Sequence, residues 1–259
     1  MTAIETSPAA AVGYPATPLA HRLRAVLRIH FANPFMTLIQ PWLITLLIFG
    51  VNLAIYGLIA YAAGGADRVE EGAFQNNGGV SWVFVFMIVI AVQAMHFTFR
   101  FALGMSVARR DYYVGTLGYF GILALVHSLG LTVFAVIERA TGGWWMDAAF
   151  FAPLGLAGQP VPVVTYLYVV GFLLALSTGA FAAGVWVRWA SNGLYVYFAT
   201  LLVAVVAFLW VVTTSHAWGD VWSFLTGTSI PTLATWALLV VAVSAGAGFA
   251  LIRRAPVRS

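Results

Sequence analysis

The 259-residue chain is 62% hydrophobic and only 8% charged, against roughly 25% charged residues in a soluble domain, which places it among membrane proteins. It has no cysteine, so disulfides, thiolate metal sites, Fe–S clusters and cysteine nucleophiles are excluded. All twelve basic residues are arginine; without lysine the chain forms neither a P-loop, whose lysine reaches the β/γ-phosphates, nor a retinal-type Schiff base.

Residues 1–18, rich in Ala, Pro and Thr, read as a disordered tail. Roughly 34 mixed residues precede the first apolar run, and that run exceeds a signal-peptide core of about 7–15 residues, so it reads as a retained span. In "LAHRLRAVLRIHF", Leu19, Leu23, Val26, Leu27 and His30 recur at helical spacing, with Arg22, Arg24 and Arg28 to the side. This predicts an amphipathic helix over 19–33, lying in the membrane interface. Pro34 and Pro41 are expected to break the chain as it enters the bilayer. Since a span takes about 20 apolar residues, six are expected, at roughly 42–63, 81–103, 116–137, 163–186, 193–213 and 232–252. The short "RWASNG" between spans four and five permits only a tight antiparallel hairpin. The fold class is all-α, a single polytopic domain over 19–259 with no internal repeat.

Orientation follows from the arginines. With the N-terminus inside, ten of the twelve lie in inner segments or at inner span ends, and only Arg68 and Arg139 lie outside. Asp67, Glu70, Glu71, Glu138, Asp147 and Asp220 fall outside, while Glu5 and Asp111 fall inside. Six spans return the C-terminus to the cytoplasm. The net charge of +4 therefore serves topology, with no nucleic-acid partner implied.

Polar clusters stand out against this apolar background. Between spans two and three, "ALGMSVARRDYYVGT" gathers Arg109, Arg110, Asp111, Tyr112 and Tyr113. As a positive-inside anchor it needs no further role. As a docking element it offers planar guanidinium forks and stiff amphipathic rings to a partner protein. Gln93, His96 and Arg100 fall at i, i+3 and i+7 on span two, and Thr45, Asn52 and Tyr56 form a similar stripe on span one. Such stripes face a bundle interior or a water-filled route, or serve as interhelical hydrogen bonds. Gly171, Ala175, Gly179 and Ala183 on span four, echoed by Gly246 and Ala250 on span six, make faces for close helix approach. Between spans five and six, Trp218 and Trp222 share one face of a short outer helix, with His216 and Asp220 at i, i+4 on another. Glu138 reads as a local ion pair with Arg139. The G-x-S at Gly104-Met105-Ser106 lacks the second glycine of a nucleophile elbow.

This layout, with "FALGMSVARRDYYVGT" after span two, resembles the permease subunits of type-2 ABC exporters. The resemblance implies a non-catalytic inner-membrane (cytoplasmic-membrane) transport subunit with no cofactor of its own. ATP and Mg would be bound by a separately encoded ATPase. The helix at 19–33, with Arg22, Arg24 and Arg28, would be an elbow helix. Arg109 to Tyr113 would dock on the ATPase, and 214–230 would help close the outer side as a gate element. A second permease copy, identical or related, would complete the unit, and an amphipathic drug, lipid or peptide would be exported. The loop "TGGWWMDAAFFAPLGLAGQPVP" has no counterpart in that pattern.

Two other classes are compatible with the sequence. One is a membrane electron-transfer subunit holding haem between His96 and His127, although their depths differ by about four residues, near 6 Å at 1.5 Å per residue. The other is an ATP-independent channel or secondary transporter using the Gln93/His96/Arg100 stripe.

Overall fold

The computed structural model describes residues 18–70, 72–75 and 78–253. The tail up to residue 17, Glu71, Arg254 and Arg258 lie outside the described residues. Among the described residues all regular structure is helical, and five helices are long and apolar enough to cross a membrane.

Helix α1 (Leu19–His30) begins after Pro18. Its buried residues Val26 and His30 are covered by the chain itself, so the stripe predicted to face lipid packs largely on a later helix. Pro34 leads into a widened π-type turn (Phe35–Ile39) that runs straight into α2 (Gln40–Ala63). The helical run is therefore interrupted at residues 31–33, just before Pro34, as expected, whereas Pro41 does not break the chain. Pro41 sits in the first turn of α2, where its missing N–H is tolerated. Gly64, at φ 85°, ends α2 in the left-handed conformation that favours glycine.

Helix α3 (Ser81–Gln93) passes through a second widened turn (Ala94–Thr98) into α4 (Phe99–Gly104), and the three act as one span. Helix α5 (Arg109–Ala140) starts seven residues before the predicted span. Its 32 residues extend about 48 Å, well beyond a hydrocarbon core of about 30 Å. Buried Tyr112, Thr116, Tyr119, Leu123, His127, Leu131, Ala135 and Glu138 run down one side of it at helical spacing.

The run Val161–Thr214 forms α6, 54 residues with Ala190 non-helical at φ 54°, ψ −145°. The rings of Phe181 and Tyr197 meet at 5.5 Å. In an unbroken helix those positions stand roughly 24 Å apart, so the chain doubles back at Ala190. The small-residue face of the first arm packs on α3: a Cβ on Gly179 would come 2.7 Å from the Ile88 carbonyl, and one on Gly171 2.9 Å from Phe84. Its neighbour is thus within the same chain. Helix α7 (Trp218–Gly227) is short and exposed along its length, and α8 (Ile230–Arg253) packs along the first arm of α6, Tyr166 meeting Thr235 and Gly184 meeting Leu251.

The fold separates charge between its two ends. Helix α1, the start of α5 and the end of α8 bring Arg22, Arg24, Arg28, Arg109, Arg110 and Arg253 to one end. Asp67, Glu70 and Asp147 line a recess at the other, beside the loop that follows α5.

Candidate functional site

At the arginine-rich end, α4 stops at Gly104 and the chain turns through Met105 and Ser106, the latter at φ 63°. Helix α5 then begins with the predicted docking residues, which divide into two sets. Arg110 is exposed and Arg109 half-buried, its Nη1 donating to the Arg253 carbonyl at 3.5 Å. Asp111, Tyr112 and Tyr113 are buried. Arg22 donates to the Asp111 carboxylate at 2.6 Å. The Tyr112 hydroxyl donates to the Ala94 carbonyl at 2.5 Å, inside the widened turn of α3, and the Tyr113 hydroxyl donates to the Ala245 carbonyl of α8 at 2.6 Å.

The two tyrosines therefore do not offer contact area to a partner. Successive helical residues point about 100° apart, so one ring reaches α3 and the next reaches α8. What remains outward is Met105, Ser106, Ala108 and Arg110.

Helix α1 follows α5 in register. Arg22 meets Asp111, Val26 meets Gly115, and His30 meets Thr116 and Tyr119. Gly115 is needed here because a Cβ would lie 2.7 Å from Val26. Thr116 donates to the Tyr112 carbonyl at 2.8 Å and so accepts from His30 Nε2 at 2.9 Å. The His30 ring stacks on Tyr119, 4.5 Å between centroids. Burial holds its imidazole down to about 4, so it is neutral. Arg24 and Arg28 are exposed.

The two polar stripes do not line one passage. Thr45 donates to the Pro41 carbonyl and Asn52 to the Ile48 carbonyl, each within its own helix. Tyr56 stacks on Phe74 at 4.4 Å. His96 accepts from Trp186 Nε1 at 3.2 Å, while Arg100 is exposed. Gln93 lines a recess of about 230 Å³ together with His30, Asn33, Thr37, Thr98 and Tyr119, beside both widened turns. His127 lies elsewhere, stacked on Trp42 at 5.8 Å and tilted against Phe172.

The other end holds what sequence reasoning missed. Glu138 does not pair with Arg139, which donates to the Gln159 carbonyl. Its carboxylate is buried and accepts from Trp144 Nε1 and from the backbone N–H groups of Phe150, Phe151 and Ala152, all at 2.8–2.9 Å. These bonds pull Ala148–Ala152, buried throughout, into the end of the bundle. Phe150 and Phe151 seat against Phe49, and Phe151 also against Phe134. The Tyr168 hydroxyl of α6 donates to the Phe151 carbonyl. The unassigned aromatic loop is thus a fitted cap. The predicted outer gate element differs in detail: α7 begins at Trp218, which donates to Thr213, while His216 precedes the helix at φ 52°. His216 and Asp220 therefore do not share a helix face, and Trp222 is exposed. Searches for similar proteins found no matching family model, no matching curated protein and no matching solved structure.

Proposed function

We propose that this chain is the membrane-spanning permease subunit of a type-2 ABC exporter, moved by a separate ATPase. The carrying observation is the rigid mounting of the α5 start. Asp111 is held by α1, Tyr112 by α3 and Tyr113 by α8, while Arg110 and the turn before it face outward. A partner pressing on that turn moves several helices together, which is what a coupling element must do. The bend of α6 at Ala190 supports counting its two arms as separate spans, giving six with both termini cytoplasmic. Helix α1 serves as the elbow in this reading. The polar recess around Gln93 and Asn33 is the entry we assign to an amphipathic substrate. A second copy of the permease and two ATPases complete the unit in the inner membrane.

The test is co-purification with the ATPase subunit from native cells. Arg110→Glu combined with Met105→Asp changes only exposed side chains and is expected to abolish association while the melting temperature holds. Undiminished association overturns the docking role. Transport by the purified chain alone in liposomes, driven by an ion gradient, overturns the whole reading, as does a Soret band lost in His96→Ala.

A further inference from the structure

Arg109 and Arg110 on the first turn of α5, and Phe249 and Arg253 near the end of α8, line a cavity of about 350 Å³ among the described residues. Asp111, the acid on the same turn of α5, is turned away and held by Arg22. Ala108 at the helix cap has no side-chain acceptor, so the positive end of the α5 dipole adds to the field there. The site therefore has the charge of an anion receptor, and guanidinium forks match phosphate oxygens well.

A second observation identifies what carries the anion. On α8, Ala242, Gly246, Ala250 and Arg253 fall at i, i+4, i+8 and i+11, beside Phe249, and all four are exposed. Gly246 faces open space, with nothing within 4 Å of where a Cβ would be. On α5, Arg110, Val114 and Leu117 repeat the pattern at i, i+4 and i+7, also exposed, and Gly121 beyond them again meets nothing within 4 Å. Arg253 thus stands at the end of an apolar, small-residue track on α8, and Arg110 at the head of an apolar track on α5. A free phosphate or a partner's carboxylate has no use for such tracks; an acyl chain does.

We propose that this cavity binds the phosphate of an anionic phospholipid, its acyl chains lying along Gly246 of α8 and the matching flank of α5. Basic pockets between membrane helices are suited to such headgroups.

The test is native mass spectrometry of the full chain released from nonionic detergent, after exposure to phosphatidylglycerol or to phosphatidylcholine of equal chain length. Wild type is expected to retain one phosphatidylglycerol and to lose phosphatidylcholine. R109Q/R110Q/R253Q is expected to weaken retention roughly a hundredfold, whereas R24Q/R28Q leaves it unchanged. Gly246→Leu fills the track without touching charge, and is expected to weaken lipid retention roughly tenfold with no effect on inorganic phosphate. Equal retention of the two lipids, or an unaffected triple variant, overturns the assignment. So does Gly246→Leu binding phosphatidylglycerol as wild type does, which leaves a free-anion site. If the triple variant keeps its lipid but loses its ATPase, the cavity is a protein-docking surface and the lipid assignment falls, while the permease reading stands.

Discussion

Replacing Glu138 by Gln tests whether one buried carboxylate holds the cap in place. Oε2 accepts from Trp144, Phe150 and Phe151, and Oε1 accepts from Ala152. Bonds to a charged group contribute about 1.5–3 kcal/mol and neutral ones about 0.5–1.5. Neutralisation therefore weakens three bonds by about 1 kcal/mol each, with the amide oxygen in the Oε2 position. The new amide N–H₂ then faces the Ala152 N–H, and orphaning that buried donor costs about 1–3 kcal/mol. Allowing for non-additivity within one network, the total is about 4 kcal/mol. At about 2–4 °C per kcal/mol for a chain of this size, the melting temperature falls by roughly 8–16 °C. Tryptophan fluorescence in detergent is the readout, since Trp144 donates directly to the carboxylate. Limited proteolysis between Gly142 and Pro160 reports release of the cap. A melting temperature within about 2 °C of wild type, with the segment still protected, refutes the reasoning.

Three further outcomes follow from local geometry. A Cβ on Gly130 would lie 2.3 Å from Trp42 Cζ2, so Gly130→Ala lowers stability by about 1–3 kcal/mol, and Trp42→Phe in the same chain recovers most of it by thermal melting. His30 is held down to about 4 by burial, among Tyr112, Thr116 and Tyr119, so the unfolded chain takes up the proton first. Stability is full above about pH 6.5 and drops by about 1.4 kcal/mol per unit toward pH 4, roughly 3 kcal/mol in all; His30→Gln flattens this profile in denaturant titrations across pH 4–7. Ala190 occupies a conformation that favours glycine, and relief of about 1–3 kcal/mol of strain outweighs the roughly 1 kcal/mol entropic cost of glycine. Ala190→Gly is therefore expected to raise the melting temperature, and a fall contradicts the bend.

Long apolar runs made the membrane helices legible, because the bilayer imposes length and hydropathy together. The turnaround in "RWASNG" was legible too, since two long apolar runs separated by so short a segment leave no other path. Helix limits were less so: hydropathy starts this span near residue 116, but the backbone is already helical from Arg109 because Tyr112, Thr116 and Tyr119 have a core to face. That spacing of four and three was present in the sequence and marks Tyr112 as buried. Tyr113 carried no such signal, since its partner Ala245 lies 132 residues away. The Glu138 cage was invisible because three of its four donors are backbone N–H groups, which any sequence supplies. The polar stripes misled because Thr45 and Asn52 satisfy themselves on their own helix, a choice that spacing does not reveal.

The tethers of Tyr112 and Tyr113 restrict how this molecule can deform. Sliding α5 lengthwise past α3 or α8 would strand a carbonyl or a phenol in apolar surroundings, so shear at that end is disfavoured. Relative displacement of the helices must instead be rotational, pivoting about the fixed tyrosine rings. The compliant joints are then the linker around Ser106 and the reversal at Ala190, and the lever arm of any stroke is the length of α5 itself.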